Sequence, residues 1–196
     1  LLADLGRPSV GLEAVRGMIG DGLGMLAYRA LAATGEPPDQ RELPAIAARL
    51  LVHYVDPARE PKTLVFARVP EVLASLSGRG VKLALCTNKA QEATELVLKK
   101  TGLATLLDCA VGFDLAPAPK PDPAHVQKAL EILGHPARAV MVGDSGNDLK
   151  AGQAAGLPVV LVTYGYGTPK TLAAADATID HFGDLPATLA TLGFSG

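Results

Sequence analysis

The sequence predicts an α/β protein in which an all-helical N-terminal part precedes a parallel β-sheet covered by helices. Residues 1–62 contain helical patterns and no strand pattern, whereas short apolar runs alternate with helical segments over residues 63–196. Strands that alternate with helices favour right-handed β-α-β crossovers, and hence a parallel sheet. A chain of 196 residues is long enough for one core domain and a small accessory domain, which we place at these two ranges.

Glycine and proline residues divide the N-terminal part into three predicted helices. The first covers Leu12–Arg16 and is followed by a glycine-rich loop, Gly17–Gly24. The second, Met25–Ala33, ends before a glycine and two prolines. The third, Leu43–Tyr54, has apolar residues at the spacing that places them on one face of a helix.

In the second part, short apolar runs mark the strands and glycines end most of the helices. The predicted strands are Val81–Cys86, Cys109–Gly112, Ala139–Val142, Pro158–Thr163 and Ala177–Ile179. The predicted helices are Val69–Ser77, Lys89–Lys100, Pro123–Leu133, Gly146–Ala155 and Leu185–Leu192. Because ligands of such folds bind beyond the carboxyl ends of the strands, the segments that follow strands are the candidate site.

Composition narrows the classes of function. Hydrophobic residues make up 48% of the chain and charged residues 19%, as in a globular protein, and the formal net charge is −2. The sequence has no long basic run, which argues against a nucleic-acid partner, and no apolar run of membrane-spanning length. Cys86 and Cys109 are isolated and lack the spacing of metal ligands, so we expect reduced thiols and a cytoplasmic location.

Two aspartates follow the strand Ala139–Val142 and form the first part of the candidate site. Gly143 lets the backbone turn, and Asp144 then stands where the strand ends and a helix begins. Asp148 follows about one helical turn later, so both carboxylates can face one point. Such a pair suits a hard cation such as Mg²⁺, which prefers oxygen ligands and keeps some of its waters. A helix cap followed by a solvated aspartate is the simpler interpretation.

Two further segments with polar side chains also follow strands. Thr87, in Leu85-Cys86-Thr87-Asn88-Lys89, places a hydroxyl just before a helix, where an anion site and a helix cap are both reasonable. Lys120, in Lys120-Pro121-Asp122-Pro123, lies among prolines that restrict its backbone, and lysine can hold a phosphate or a carboxylate. Together the three segments supply the positioning and charge neutralisation that phosphoryl transfer needs.

In order, these segments resemble three motifs of the haloacid dehalogenase superfamily, in its phosphoglycolate phosphatase-like branch. The second motif of the family resembles the Thr87 segment, the third the Lys120 segment, and the fourth Gly143-Asp144-Ser145-Gly146-Asn147-Asp148. The segment Val162–Gly167 also resembles this branch. The resemblance implies a Rossmann-like, haloacid dehalogenase-like core, in which residues 1–62 form a small all-helical cap domain.

The resemblance also implies roles for individual residues of the core. Thr87 and Lys120 are the expected catalytic residues. Thr87 and the backbone of Asn88 would hold the transferring phosphate, and Lys120 would orient both the nucleophile and the phosphate. Asp144 would ligate Mg²⁺ directly, and Asp148 would assist through a water molecule or by bracing Lys120.

The resemblance further implies a reaction and a substrate class. The expected reaction is Mg²⁺-dependent hydrolysis of a small phosphate monoester, with 2-phosphoglycolate as the expected substrate, by a monomer or a homodimer. The glycine-rich loop of the cap would close over the site and read this small phosphorylated metabolite. Its expected substrate-binding residues are Arg16, Gly20, Asp21 and Gly22.

One motif of the family is absent from the sequence. The first motif, D-x-D-G-T, does not occur in the 196 residues. In the family, its first aspartate is the nucleophile that becomes an aspartyl-phosphate, and its second is the general acid and base. The opening residues read as the end of a helix that stops at Gly6, so we expect a preceding strand, loop and half helix. Without them we expect no turnover of phosphate esters.

Other interpretations stay open. A non-catalytic relative that binds phosphate and metal, and a sugar phosphate mutase of the same superfamily, both fit these segments. A phosphonoacetaldehyde hydrolase is disfavoured because residues 1–61 contain no lysine. A metal-free dehalogenase is disfavoured by the aspartate pair, and a receiver-like signalling domain by the order of the site residues. The four histidines have no metal-type spacing, and we interpret them as surface or satisfied residues.

Overall fold

The computed structural model describes residues 1–55 and 64–194 and divides the chain into two compact units, Leu1–Lys62 and Thr63–Gly196. Within the described ranges, no helix combines the length and the apolar character that crossing a membrane requires. Each unit is described by itself below.

The first unit consists of helices and short 3₁₀ turns. Its α-helices are α1 (Leu12–Arg16), α2 (Gly22–Ala33) and α3 (Leu43–Val55), and α2 packs against α3. The expected helical turn before Gly6 is a 3₁₀ turn, Ala3–Leu5, which Gly6 ends in the left-handed conformation.

The predicted glycine-rich loop is shorter than expected. It ends at Asp21, because α2 begins at Gly22 rather than at Met25. Gly24 lies within this first turn and packs against α3, where an added Cβ would be 3.8 Å from the Cβ of Ala47. Packing against a neighbouring helix therefore outweighs the low intrinsic helix propensity of glycine at this position.

The second unit is a parallel α/β structure in which the strands form two groups. The strands are β1 (Ala84–Cys86), β2 (Cys109–Val111), β3 (Met141–Gly143), β4 (Val159–Val162) and β5 (Ala177–Ile179). β1 pairs with β2, and β4 pairs with both β3 and β5, always in parallel. The helices are α4 (Val69–Gly78), α5 (Gln91–Thr101), α6 (Pro123–Ile132), α7 (Gly146–Ala154), α8 (Pro169–Ala173) and α9 (Leu185–Thr191). The predicted α/β class with parallel strands is thus confirmed.

Helices cover both faces of the three-stranded group. Alternate residues of β4 point to opposite faces, and all four are buried. On one face Val160 and Val162 pack with buried residues of α4 and α9, and on the other Val159 and Leu161 pack with buried residues of α6 and α7. This two-sided burial explains why β4 reads as a continuous apolar run.

Several predicted boundaries differ from the observed ones. β1 is shorter than predicted because the N–H of Leu83 donates to the Asp108 carboxylate at 2.8 Å instead of to a strand carbonyl. The helix predicted from Lys89 begins at Gln91, and the strand predicted at Ala139–Val142 lies at Met141–Gly143. The helix α8 was not predicted, although its Thr168 N-cap followed by a proline is a recognisable start signal.

One histidine lies in the core and contradicts the interpretation of all four as surface or satisfied residues. His125, on α6, is 0% exposed. Its Nε2 lies 2.9 Å from the carbonyl of Val111, so Nε2 carries the hydrogen and donates it. Nδ1 has no partner among the described residues. Burial lowers the pKa of His125, and the Val111 carbonyl opposes this shift only in part.

We predict that His125 makes the fold less stable as the pH falls through about 6.5, the usual histidine pKa. Below that pH the unfolded chain takes up a proton that the folded chain refuses, so the free energy of unfolding decreases by up to about 1.4 kcal/mol per pH unit. Urea unfolding at a series of pH values measures this slope. In His125→Leu the free energy of unfolding should depend less on pH below about 6.5 than in the wild type. In His181→Gln, a change at an exposed histidine, the pH dependence should match that of the wild type. The same pH dependence of the free energy of unfolding in the wild type and both variants would contradict this role of His125.

Candidate active site

Lys120 joins the carboxyl-end regions of three different strands. It lies in the connection between β2 and α6, and its Nζ donates to Asp148 Oδ1 and to the carbonyl of Cys86, both at 2.6 Å. Lys120 is 9% exposed and Asp148 is 4% exposed. A buried ion pair of this kind is screened little by solvent, and losing either partner leaves an uncompensated charge. The structure therefore brings the predicted third and fourth segments into direct contact.

Asp148 is fully engaged by groups of the protein. Its Oδ2 accepts hydrogen bonds from the Ser145 hydroxyl at 2.7 Å and from the backbone N–H groups of Asp144 and Ser145 at 3.0 Å each. Burial by itself would raise the pKa of Asp148, but the charge of Lys120 and these hydrogen bonds hold it below the usual value. Of the two roles expected for Asp148, this geometry matches the bracing of Lys120.

The helix cap in this segment is Ser145, not Asp144. Ser145 and Asp148 form a capping box, in which the Ser145 side chain accepts from the Asp148 N–H while Asp148 accepts from the Ser145 N–H. The sequence carries the signal for this arrangement, since a serine followed three residues later by an acidic residue is the capping-box pattern. The simpler interpretation of Asp144 as a cap is therefore wrong.

Asp144 is a half-buried carboxylate that forms no ion pair with another residue in the described part of the chain. Burial raises its pKa to about 6, and the negative charge of Asp148 adds to the shift, while Lys120 opposes it. A cation beside Asp144 would relieve both effects. The described residues contain no cluster of three or more His, Cys, Asp or Glu that could hold a metal. Mg²⁺ keeps several of its waters and needs only one or two carboxylates from the protein. Such a small set of ligands suits Mg²⁺ better than it suits a metal whose ligands all come from the protein.

Two glycines allow the backbone to approach these aspartates closely. A Cβ on Gly143 would lie 2.2 Å from the Cβ of Asp148, and one on Gly165 would lie 2.3 Å from the Cβ of Asp144. Gly143 was expected to permit a turn, yet it is the last residue of β3 and has no positive φ angle. Glycine is needed at this position because it has no Cβ that would overlap with Asp148, and not because of its backbone freedom. The loop after β4 is also tied to Asp144, whose carbonyl accepts from the Tyr166 N–H at 2.8 Å.

We predict that Gly165→Ala lowers the free energy of unfolding by about 1–3 kcal/mol, because the new methyl group overpacks the backbone and side chain of Asp144. The matched control is Gly78→Ala at the end of α4, where an added Cβ meets no atom within 4 Å. This control should change stability by less than about 0.5 kcal/mol. Urea unfolding measures both values, and a Gly165 variant as stable as its control would show that the close approach is not needed.

Thr87 lies in the loop between β1 and α5. Its N–H donates to the carbonyl of Val111 at 3.0 Å, and its hydroxyl oxygen accepts from the N–H of Lys89 at 3.2 Å. Thr87 does not cap α5, because the N-cap residue is Ala90, so the cap interpretation is wrong here too. The Thr87 hydroxyl can still donate its own hydrogen, as binding of a phosphate oxygen requires.

Asn88 uses its side chain in a way that the sequence did not reveal. Its Nδ2 donates to the carbonyl of Lys120 at 2.8 Å, and its Oδ1 accepts from the N–H of Lys120 at 2.9 Å. The expectation concerned only the backbone of Asn88. No local pattern signals a contact between positions 32 residues apart in the chain.

The remaining predicted site residues lie in the first unit, in and around the connection between α1 and α2. The Asp21 carboxylate pairs with Arg29 of α2, and Arg29 also donates to the carbonyl of Met18 at 2.8 Å. Arg29 thus holds this connection at two points, a role that the sequence analysis missed. The carboxylate of Asp21 is therefore already paired with the guanidinium of Arg29.

Arg16 and the two glycines complete this connection. The Arg16 side chain is largely exposed, and its guanidinium lies 3.6 Å from the Glu13 carboxylate on the same helix. Gly20 and Gly22 have φ angles of 130° and 83°. The structure leaves the substrate-binding role of these residues as a prediction.

Comparison with known proteins decides the family. The model of the haloacid dehalogenase-like hydrolases matches residues 7–162, which include the segments of Thr87, Lys120 and Asp144. The chain belongs to this family. The predicted membership is therefore confirmed, and a receiver-like signalling domain is excluded.

Individual relatives place the chain within the family. The phosphoglycolate phosphatase of Caulobacter vibrioides is 38% identical over 194 residues, which are 98% of this chain and 81% of that protein. The phosphoglycolate phosphatase of Rhodospirillum rubrum is 38% identical over 88% of this chain and 73% of its own length. These relatives confirm the phosphoglycolate phosphatase-like branch and the predicted enzyme class, a phosphoric monoester hydrolase.

Solved structures agree on the fold. The crystal structure of a predicted phosphoglycolate phosphatase from Haemophilus somnus has a TM-score of 0.85 at 27% identity and covers 95% of this chain and 86% of that one. CbbY from Rhodobacter sphaeroides, solved in complex with phosphate, has a TM-score of 0.75 over 94% of this chain and 84% of that one. At 23% identity, the second similarity shows the fold alone.

Proposed function

We propose that this protein is a Mg²⁺-dependent phosphatase that hydrolyses a small phosphate monoester, with 2-phosphoglycolate as its preferred substrate. The observation that carries the proposal is the buried Lys120, held by Asp148 and the Cys86 carbonyl beside the half-buried Asp144. A fixed cation and an adjacent carboxylate suited to Mg²⁺ are the groups that neutralise a transferring phosphoryl group. The names of the relatives support the choice of substrate.

We assign each residue of the site a role that is compatible with its contacts. Lysine has three N–H donors, and two of those on Lys120 are taken by Asp148 and Cys86. The third has no partner among the described residues and can donate to a phosphate oxygen or to an attacking carboxylate. Thr87 donates its hydroxyl hydrogen to the phosphate, together with the backbone of Asn88. Asp144 would hold Mg²⁺, which supplies charge neutralisation at the phosphate.

In this proposal the nucleophile is the first aspartate of a D-x-D-G-T motif, which does not occur in the 196 residues. The strand arrangement offers a place for it. In the described residues, β1 pairs only with β2 and β3 pairs only with β4, so each strand has one unpaired edge. Lys120 spans from the end of β1 to Asp148 in the helix that follows β3. A further strand paired with these two edges would bring its carboxyl end to Lys120, where the aspartyl-phosphate would form.

The first unit would serve as the cap. Its Arg16 and the connection that contains Gly20, Asp21 and Gly22 would read the part of the substrate that is not phosphate. The enzyme would act as a monomer or a homodimer in the cytoplasm, with a small phosphorylated metabolite as its partner.

We predict that the native gene product hydrolyses 2-phosphoglycolate faster than hexose phosphates or nucleotides, and that EDTA abolishes this activity. Asp144→Asn should lower the rate by roughly 100-fold or more, because it removes the charge that holds the cation. Glu71→Gln, an exposed acid-to-amide change on α4, is the matched control and should leave the rate within about twofold. Phosphate release measured with and without Mg²⁺ checks each expectation.

Three results would overturn parts of this proposal. Undiminished activity in EDTA, or in Asp144→Asn, would show that the reaction does not depend on Mg²⁺ held by Asp144. A clear preference for a hexose phosphate or a nucleotide would remove 2-phosphoglycolate. Mg²⁺-dependent turnover by a polypeptide restricted to residues 1–196, lost in Asp144→Asn, would show that no further aspartate is needed.

A further inference from the structure

We propose that the side chain of Asn88 is a positioning residue for Lys120, and that it sets where the lysine ammonium group lies. This inference rests on the proposed function, in which Lys120 contacts the transferring phosphate. It assigns to the Asn88 carboxamide a task separate from the phosphate binding expected of the Asn88 backbone. Its basis is a pair of hydrogen bonds between the Asn88 side chain and the backbone N–H and carbonyl of Lys120.

Both polar atoms of the Asn88 side chain engage the backbone of Lys120. Nδ2 donates to the carbonyl at 2.8 Å, and Oδ1 accepts from the N–H at 2.9 Å. One hydrogen bond would leave the lysine backbone free to rotate about it. Two bonds, to the N–H and the carbonyl of the same residue, fix both the position and the orientation of that backbone.

Lys120 is consequently held at both of its ends. Asn88 holds the backbone, and Asp148 and the Cys86 carbonyl hold Nζ at 2.6 Å each. A lysine side chain has several rotatable bonds and a high conformational entropy, so a fixed Nζ requires a fixed origin for that chain. With the origin fixed, the third N–H points in a reproducible direction, which is what preorganised stabilisation of a developing charge requires.

The chemistry of the contact requires an amide. The carboxamide offers a donor group, NH₂, and an acceptor group, the carbonyl oxygen, and therefore complements both the carbonyl and the N–H of Lys120. A carboxylate at position 88 would lose the donor and add a charge beside the ion pair. Alanine would lose both bonds but keep the backbone N–H of this residue, so Asn88→Ala separates the side-chain role from phosphate binding by the backbone.

A purely structural tie between two loops is the competing explanation, and Gln91 provides the matched control. The Gln91 side chain also joins the segments after β1 and β2, since its Oε1 accepts from the Gly112 N–H at 2.8 Å. Among the described residues, the Gln91 side chain makes no hydrogen bond to Lys120. Gln91→Ala therefore removes a comparable tie and should lower the melting temperature by a similar amount, while leaving Lys120 in place.

The first experiment is a kinetic double-mutant cycle on the native gene product. We expect Asn88→Ala to lower kcat by roughly 10–100-fold with KM changed less than threefold, and Gln91→Ala to change kcat less than threefold. We expect the double variant Asn88→Ala/Lys120→Ala to be no slower than Lys120→Ala alone, because Asn88 then has no lysine to position. Independent, multiplying losses in the double variant would overturn the proposal.

The second experiment does not depend on catalysis. Acetic anhydride labels amines, and mass spectrometry of peptides reports the labelling rate of Lys120 in each protein. We expect Lys120 to be protected in the wild type and in Gln91→Ala, and to react about tenfold faster in Asn88→Ala. Unchanged protection in Asn88→Ala would overturn the proposal. If the wild type shows no phosphatase activity while this protection pattern holds, the proposed function fails and the positioning role stands.

Discussion

The buried ion pair between Lys120 and Asp148 is the interaction on which the rest of the site depends. It connects the segment after β2 with the helix after β3, and the Cys86 carbonyl adds the end of β1 to the same ammonium group. A buried charge is costly unless it is paired and hydrogen-bonded. Asp148 meets this condition through Ser145 and the backbone N–H groups around it, so the lysine and the carboxylate stabilise each other at a fixed place.

The placement of Asp144 follows from this pair. The backbone N–H of Asp144 donates to Asp148, and the loop after β4 packs against its Cβ because Gly165 has no side chain. Asp144 is then held half-buried next to a second carboxylate, and its pKa rises to about 6. The same geometry that makes an ionised Asp144 unfavourable by itself makes it a good partner for a cation. The site thus combines one carboxylate whose charge is paired with Lys120 and one that has no ion-pair partner among the described residues.

The sequence predicted the elements of the fold and the order of the site segments better than it predicted their contacts. The apolar run of β4 and the Asp144–Asp148 spacing are local patterns, and local patterns carry this information. The pairing of Asn88 with Lys120 joins residues 32 positions apart, and only the folded chain brings them together. Gly24 looks like a loop residue, yet it lies in α2 and packs against α3. The capping box of Ser145 and Asp148 is also a local pattern, so the sequence alone could have predicted it.

A double-mutant cycle between Lys120 and Asp148 tests this account most directly. The variants Lys120→Met, Asp148→Asn and their combination would be compared with the wild type by urea unfolding. We expect each single change to lower the free energy of unfolding by about 3–5 kcal/mol, because each leaves a buried partner uncompensated. We expect the double variant to cost less than the sum by more than about 1 kcal/mol. Losses that add within about 0.5 kcal/mol would contradict the central role of this ion pair.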